Sequence, residues 1–273
     1  MKKIVPFVFA FFAFNFAFAQ QETATQTSNE MNADRPGKGD AAKVVSQGTF
    51  QAEIGLQFEN DETNFASFKT YHLPETTLRY GLLEFAELRV RAQLDHHVTD
   101  LKSNLQPENR NTDTGLNDVM VGTKLQFLKN SGFIPDAALQ ADFKLPVGDE
   151  TLKTGKVEPK IRLNFQNKLT EGLSLNYNIG LEWEENLSFL ENEKYNHIGL
   201  YTLALQYQFT ESFMAFAEAY GEFEDKDMRQ SFDAGVAYKL LPNLQLDAYT
   251  GFGLSEEALD LFVSAGVSFR LPD

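Results

Sequence analysis

The densest group of side chains suited to acid–base or metal chemistry is Asp95-His96-His97, with Asp100 close behind. A hydrolytic or metal site there would need both imidazoles on one side of the backbone. The surrounding residues alternate: Ala86, Leu88, Val90, Ala92 and Leu94 are apolar, and Glu87, Arg89, Arg91, Gln93 and Asp95 between them are charged or polar. A period of two is the signature of a strand, so His96 and His97 point to opposite faces and do not readily share an ion. They read as interfacial histidines at a strand end. Ser103 and Ser131 could be proposed as nucleophiles of a rim hydrolase, but nothing selects a base or an orienting group for either. The chain has no cysteine, which removes thiolate nucleophiles, thiolate metal sites and disulfides. Gly37, Gly39, Gly148 and Gly155 form no phosphate-binding pattern. The expectation is no enzyme, no cofactor and no metal.

The second chemically loaded set is a series of charges on the polar side of the alternating segments: Glu53, Arg79, Glu87, Arg89, Arg91, Asp118, Lys124, Asp142, Lys160 and Arg162. If that side faces a bore, these residues line it. Arg79, Glu87, Arg89 and Arg91 could then form a constriction that sets charge selectivity. Alternatively they pair with Glu53, Asp118 and Asp142 and brace the wall, which their mixed signs favour.

The elements that would position them are strands. Phe50, Ala52, Ile54, Leu56 and Phe58 alternate with Gln51, Glu53, Gly55, Gln57 and Glu59, and similar segments recur to the C-terminus, ending with Leu261 to Leu271. The second, Phe68 to Tyr80, contains Pro74, which predicts a bulge or bend. The fourth is expected near Asp118 to Leu128. In total about 12 strands of about 9–13 residues are expected, an even count and close to the span of a tilted transmembrane strand. Tight turns (Gly81 to Glu84, Thr170 to Gly172, Thr210 to Ser212, Leu241 to Asn243) alternate with longer polar links (Thr99 to Thr114, Val147 to Val157, Glu184 to Lys194, Glu224 to Met228, Ser255 to Asp260). Such sorting suits an outer-membrane barrel with short periplasmic turns and longer extracellular loops. A soluble barrel this wide would be filled poorly by Ala, Val and Leu. Aromatics also gather near strand ends, as at Phe85, Phe127, Trp183, Phe209 and Phe252.

Residues 1–19 read as a bacterial secretory signal: Lys2 and Lys3, an apolar run from Ile4 to Phe18, and Ala17-Phe18-Ala19 as the cleavage pattern. Residues 20–46 form a polar periplasmic leader, extended or disordered, and the sequence leaves open whether it enters the bore. Residues 47–273 form the barrel. Loss of the signal removes two lysines and no acids, taking the net charge from −15 to about −17. That excludes a nucleic-acid binder, which needs basic contacts, and suits water-facing loops.

Several motifs carry a family resemblance: Asp34-Arg35-Pro36; Gln51, Glu53 and Gly55 after Gly48; Leu78-Arg79-Tyr80-Gly81-Leu82; Glu87-Leu88-Arg89; Asp118, Gly122 and Lys124 after Gly115; and Leu145-Pro146-Val147-Gly148. Together they resemble the transporter-like outer-membrane barrels associated with the meta-pathway of phenol degradation. The resemblance implies an outer-membrane barrel and passage of small molecules, without specifying an aromatic substrate. Such barrels commonly end on an aromatic residue read by the insertion machinery; here Phe269 or Leu271 would serve. The expected fold is therefore an all-β, membrane-spanning, antiparallel up-and-down barrel. Its expected partners are outer-membrane lipids, the barrel-insertion machinery during biogenesis, and a small solute of unknown identity. The alternatives are a plugged structural or adhesive barrel, or a hydrolase with a rim site near His96.

Overall fold

The computed structural model describes residues 31–102, 109–129, 134–186, 194–224 and 227–272. The expected signal, Ser103, Ser131 and the tips of several loops lie outside them. Strands β1(Phe50–Glu62), β2(Ala66–Leu83) and β3(Ala86–Leu101) open the barrel. Then come β4(Asn109–Leu116), β5(Val119–Leu128), β6(Asp136–Leu145), β7(Glu158–Lys168) and β8(Leu173–Glu185). The chain ends with β9(Tyr195–Gln208), β10(Phe213–Glu224), β11(Asp227–Leu241), β12(Leu244–Gly253) and β13(Leu261–Leu271). Every pairing between these strands is antiparallel among the described residues, β1 closes the cylinder on β13, and β2 bridges β1 to β3. Both β4 and β5 pair with β3, one along each half, so the strands fill 12 positions around a closed wall.

Alternation decides which side chains face which way. The buried set is mostly polar: Gln51, Glu53, Arg79, Glu87, Lys124, Asn164, Asp233 and Ser268 are all at most 2 % exposed. Their apolar neighbours Leu78, Leu88, Val90, Leu139, Ile179 and Leu205 are each more than a third exposed. This inverts a soluble protein and matches a wall with lipid outside and a polar bore inside, where strand ladders satisfy the backbone. The chain is thus a membrane-spanning β-barrel. Exposed aromatics at strand ends include Phe85, Phe127, Phe209 and Phe252, with Phe209 packed between Tyr207 and Phe213.

Several boundaries differ from the expected ones. In the long polar link predicted over Thr99 to Thr114 the described ends are strand: β3 runs on to Leu101 and β4 pairs with it from Asn109. Above the lipid both faces of a strand meet water, so Asn109 to Asp113 carries no apolar alternation and reads as loop. At the predicted link Glu224 to Met228 strand pairing likewise extends into the expected loop, with Glu224 opposite Asp227, and Arg229 holds Glu222 at 3.3 Å and Glu224 at 2.8 Å. Pro74 does mark an irregularity: the β2–β3 register shifts between His72 and Glu75.

Residues 31–46 do not lie outside the wall. Met31, Ala42 and Val45 are buried inside the barrel, and Gln47 forms a bridge with Gly81.

Candidate functional site

The bore is organised around the segment Asp34-Arg35-Pro36-Gly37-Lys38-Gly39-Asp40 and the strand side chains that receive it. Glu53 on β1 accepts the backbone N–H groups of Asp34 (3.0 Å) and Arg35 (2.9 Å). Arg79 on β2, fully buried, bridges Glu53 at 2.8 Å and Glu87 at 2.9 Å, and lies 3.4 Å from Asp34. It also donates to the carbonyls of Asn32 and Lys43. Glu87 accepts the Val45 N–H at 2.7 Å. Arg89 reaches Asp34 at 2.5 Å, Glu87 at 3.0 Å and Asp40 at 3.1 Å. Lys124 on β5 binds Asp34 at 3.0 Å and the Ala41 carbonyl at 2.9 Å. Arg162 on β7 binds Asp40 at 2.7 Å.

Four carboxylates (Asp34, Asp40, Glu53, Glu87) thus interlock with four cations (Arg79, Arg89, Lys124, Arg162). Buried charges are tolerable only when paired and hydrogen-bonded in this way. Burial raises the Asp34 pKa, but Arg79, Lys124 and Arg89 outweigh it and hold the carboxyl at about 2. Asp40 is likewise raised by burial, but Arg162, Arg89 and Lys124 hold it well below its ordinary value.

The other side of the segment is fixed by amides and glycines. Glu218 on β10 accepts the Lys38 N–H at 2.7 Å, while Asp40 and Asn178 exchange two hydrogen bonds at 2.8 and 2.9 Å. Gly37 has φ +109°, and a Cβ there would lie 2.9 Å from a Glu218 oxygen, so only glycine passes this point unstrained. Gly55 on β1 faces Gly266 on β13, and their missing side chains leave a notch filled by the Arg35 guanidinium. Arg35 there binds Asp247 at 2.9 Å and Ser264 at 3.0 Å.

The segment divides the bore. On the extracellular side a cavity of about 450 Å³ is lined by Lys38, Arg91, Tyr201, Tyr220, Tyr249 and Leu259, among others. On the periplasmic side a second, of about 320 Å³, is lined by Met31, Lys43, Gln166, Lys168, Gln206 and Lys239. A gap of about 40 Å³ beside the segment, against Gln166, Asn176, Gln206 and Glu218, shares lining residues with both.

The model of the family described as "Putative MetA-pathway of phenol degradation" matches residues 33–271. The chain belongs to that family. No curated protein matches it. Among solved structures it is similar to an outer-membrane channel from Pseudomonas putida F1, with 13 % identity and a TM-score of 0.64, covering 87 % of this chain and 99 % of the other. It is also similar to the transport unit of the autotransporter AIDA-I from Escherichia coli, with 10 % identity and a TM-score of 0.54, covering 81 % and 89 %. A third is the NanC porin, with 9 % identity and a TM-score of 0.51, covering 81 % and 100 %. These are outer-membrane barrels, channels and transport units rather than enzymes, and this family member shares their fold.

The candidate lumen residues of this family member fall into three groups. Glu53, Arg79, Glu87, Arg89, Lys124 and Arg162 belong to the interlocked cluster. Lys160 pairs with Glu182 at 2.6 Å, Arg91 leans on Glu75 at 3.7 Å, and Asp142 accepts from Gln140 at 2.7 Å. Asp118 is apart: it sits in the break between β4 and β5 and accepts from Gly148 and Thr154 of the following loop. His96 bonds Thr114 at 2.6 Å and packs on Tyr71, whereas His97 bonds Thr70 at 3.1 Å, so the two imidazoles serve different neighbours. Sequence reasoning missed Asp34, Arg35, Lys38 and Asp40 as bore residues. Their signal is charge: two acids and two bases within residues 34–40, set among glycines.

Proposed function

We propose that the protein lets small solutes cross the outer membrane through its bore, past the inserted segment 31–46. The supporting observation is the run of cavities above, beside and below that segment with shared lining residues. A gap of about 40 Å³ holds about three waters at roughly 10–15 Å³ each. Anything larger passes only if the segment shifts. A signal over residues 1–19 would deliver the chain, and the last strand, ending at Phe269 to Leu271, would present the insertion signal. No catalytic role is assigned to His96 or His97.

The second reading, a plugged structural barrel, is favoured by one observation: the segment is held by a charge-balanced buried cluster. Single-channel conductance in planar bilayers, on the full chain and on a deletion of residues 31–46, separates the two. Discrete openings in the full chain support solute passage. A silent full chain and a conducting deletion favour the plugged barrel.

A further inference from the structure

The extracellular cavity has the size of sites that hold small organic molecules. Six cations line it: Arg35, Lys38, Arg91, Lys160, Arg162 and Arg229. Four of them end on carboxylates, Asp247, Glu182, Asp40 and Glu224, at 2.6–2.9 Å. Two do not. The Lys38 ammonium lies 4.7 Å from the centre of the Phe262 ring and has no carboxylate within ion-pair distance among the described residues. Arg91 spends only its Nε, donating to Thr77 at 3.1 Å and standing 3.7 Å from Glu75. Its terminal nitrogens make no hydrogen bond among the described residues.

Lys38 remains charged. Burial lowers its pKa, but the carboxylates Glu59 and Glu75 are among the groups that raise it above the ordinary lysine value. The cavity therefore offers one ammonium and one guanidinium with unused donors, and a guanidinium fork matches a carboxylate. The wall beside them is Tyr220, Tyr249, Leu200 and Leu259, which suits an apolar body. Carboxylates line the cavity too (Glu59, Glu75, Glu222 and Glu257), so a single negative charge placed at these two cations is the most it would take.

We propose that this cavity binds a small organic monocarboxylate, its carboxylate on Lys38 and Arg91 and its apolar body against Tyr249, Tyr220 and Leu259. The inference rests on the solute-passage reading only for its purpose, since binding is measurable without transport. The test is isothermal titration of the full chain in nonionic detergent with three probes that share a ring: benzoate, benzyl alcohol and benzylamine. Benzoate is expected to bind at least about tenfold more tightly than either of the others. Lys38→Met and Arg91→Gln are each expected to weaken benzoate about tenfold and to leave benzyl alcohol unchanged, in proteins that keep the heat-modifiable migration of a folded barrel. Equal binding of the three probes, a preference for benzylamine, no binding of benzoate, or benzoate affinity unmoved by both substitutions overturns the proposal. A protein that binds benzoate yet never conducts refutes solute passage and leaves the site standing. One that conducts without binding benzoate does the reverse.

Discussion

Asp34 is the residue on which the docking of the inserted segment turns, and Asp34→Asn isolates its charge with almost no change of shape. The substitution leaves three carboxylates facing four buried cations. It removes the ion pairs with Arg89 at 2.5 Å, Lys124 at 3.0 Å and Arg79 at 3.4 Å. The backbone N–H groups of residues 34 and 35 keep their acceptor, Glu53, and Arg79 keeps Glu53 and Glu87. The cost therefore falls on docking rather than on the wall. Removing one partner of a buried ion pair costs about 3–5 kcal/mol. At about 1.4 kcal/mol per tenfold, the released population rises between about a hundredfold and a few thousandfold.

Because the chain has no cysteine, a single introduced thiol reports this population cleanly. Val45→Cys places it at a site 4 % exposed, on a residue whose N–H is held by Glu87. A thiol there reacts with a maleimide only when the segment opens, so the labelling rate follows the opening equilibrium. Lys43→Cys, at an exposed position two residues away, gives the unprotected rate. In the Asp34→Asn background the Val45→Cys thiol is expected to label at least about a hundredfold faster. A change of less than about threefold, with both proteins heat-modifiable, would show that the pairs brace the wall and do not hold the segment, and the reasoning above would fail.

Two further outcomes follow from the same geometry. The Asp34 carboxyl has its pKa lowered from 3.8 to about 2 on docking, so its stabilisation is complete above about pH 4 and is lost as pH falls towards 2. The difference is worth about 2 kcal/mol, and the single-channel pattern recorded at pH 7 should persist to about pH 4 and change below it; Asp34→Asn should flatten that dependence. Replacing both Gly55 and Gly266 by Ala closes the notch that seats Arg35, since a Cβ at Gly266 would lie 2.5 Å from Arg35 Nε. Loss of the charged hydrogen bonds to Asp247 and Ser264 costs about 1.5–3 kcal/mol, so Val45→Cys labelling should quicken about ten- to a hundredfold, less than in Asp34→Asn; an unchanged rate would mean that Arg35 does not secure the segment.

The wall was readable because a strand crossing lipid must alternate, and Ala86 to Asp95 does so without a break. Where that constraint lapses, so does the signal. Asn109 to Asp113 pairs with β3 beyond the lipid, where neither face has to be apolar, and it looks like loop. Asp118 reads as a bore residue only if the alternation of β5 extends back to it, but the strand breaks at Asn117-Asp118 and the side chain turns to Gly148 and Thr154.

The inserted segment poses a different problem, because alternation says which residues face inward and nothing about what they meet there. Charge balance does say something. Within the interlocked cluster the wall contributes Arg79, Arg89, Lys124 and Arg162 against Glu53 and Glu87, an excess of two positive charges in a place where unpaired charge is costly. The chain has to supply two carboxylates from somewhere other than those strand positions. Asp34 and Asp40 do so, and the glycines between them let the backbone fold closely enough to deliver both. Within the cluster Asp34 and Asp40 are therefore the counter-charges to these four wall cations, and withdrawing the segment exposes those cations to water or to an incoming anion.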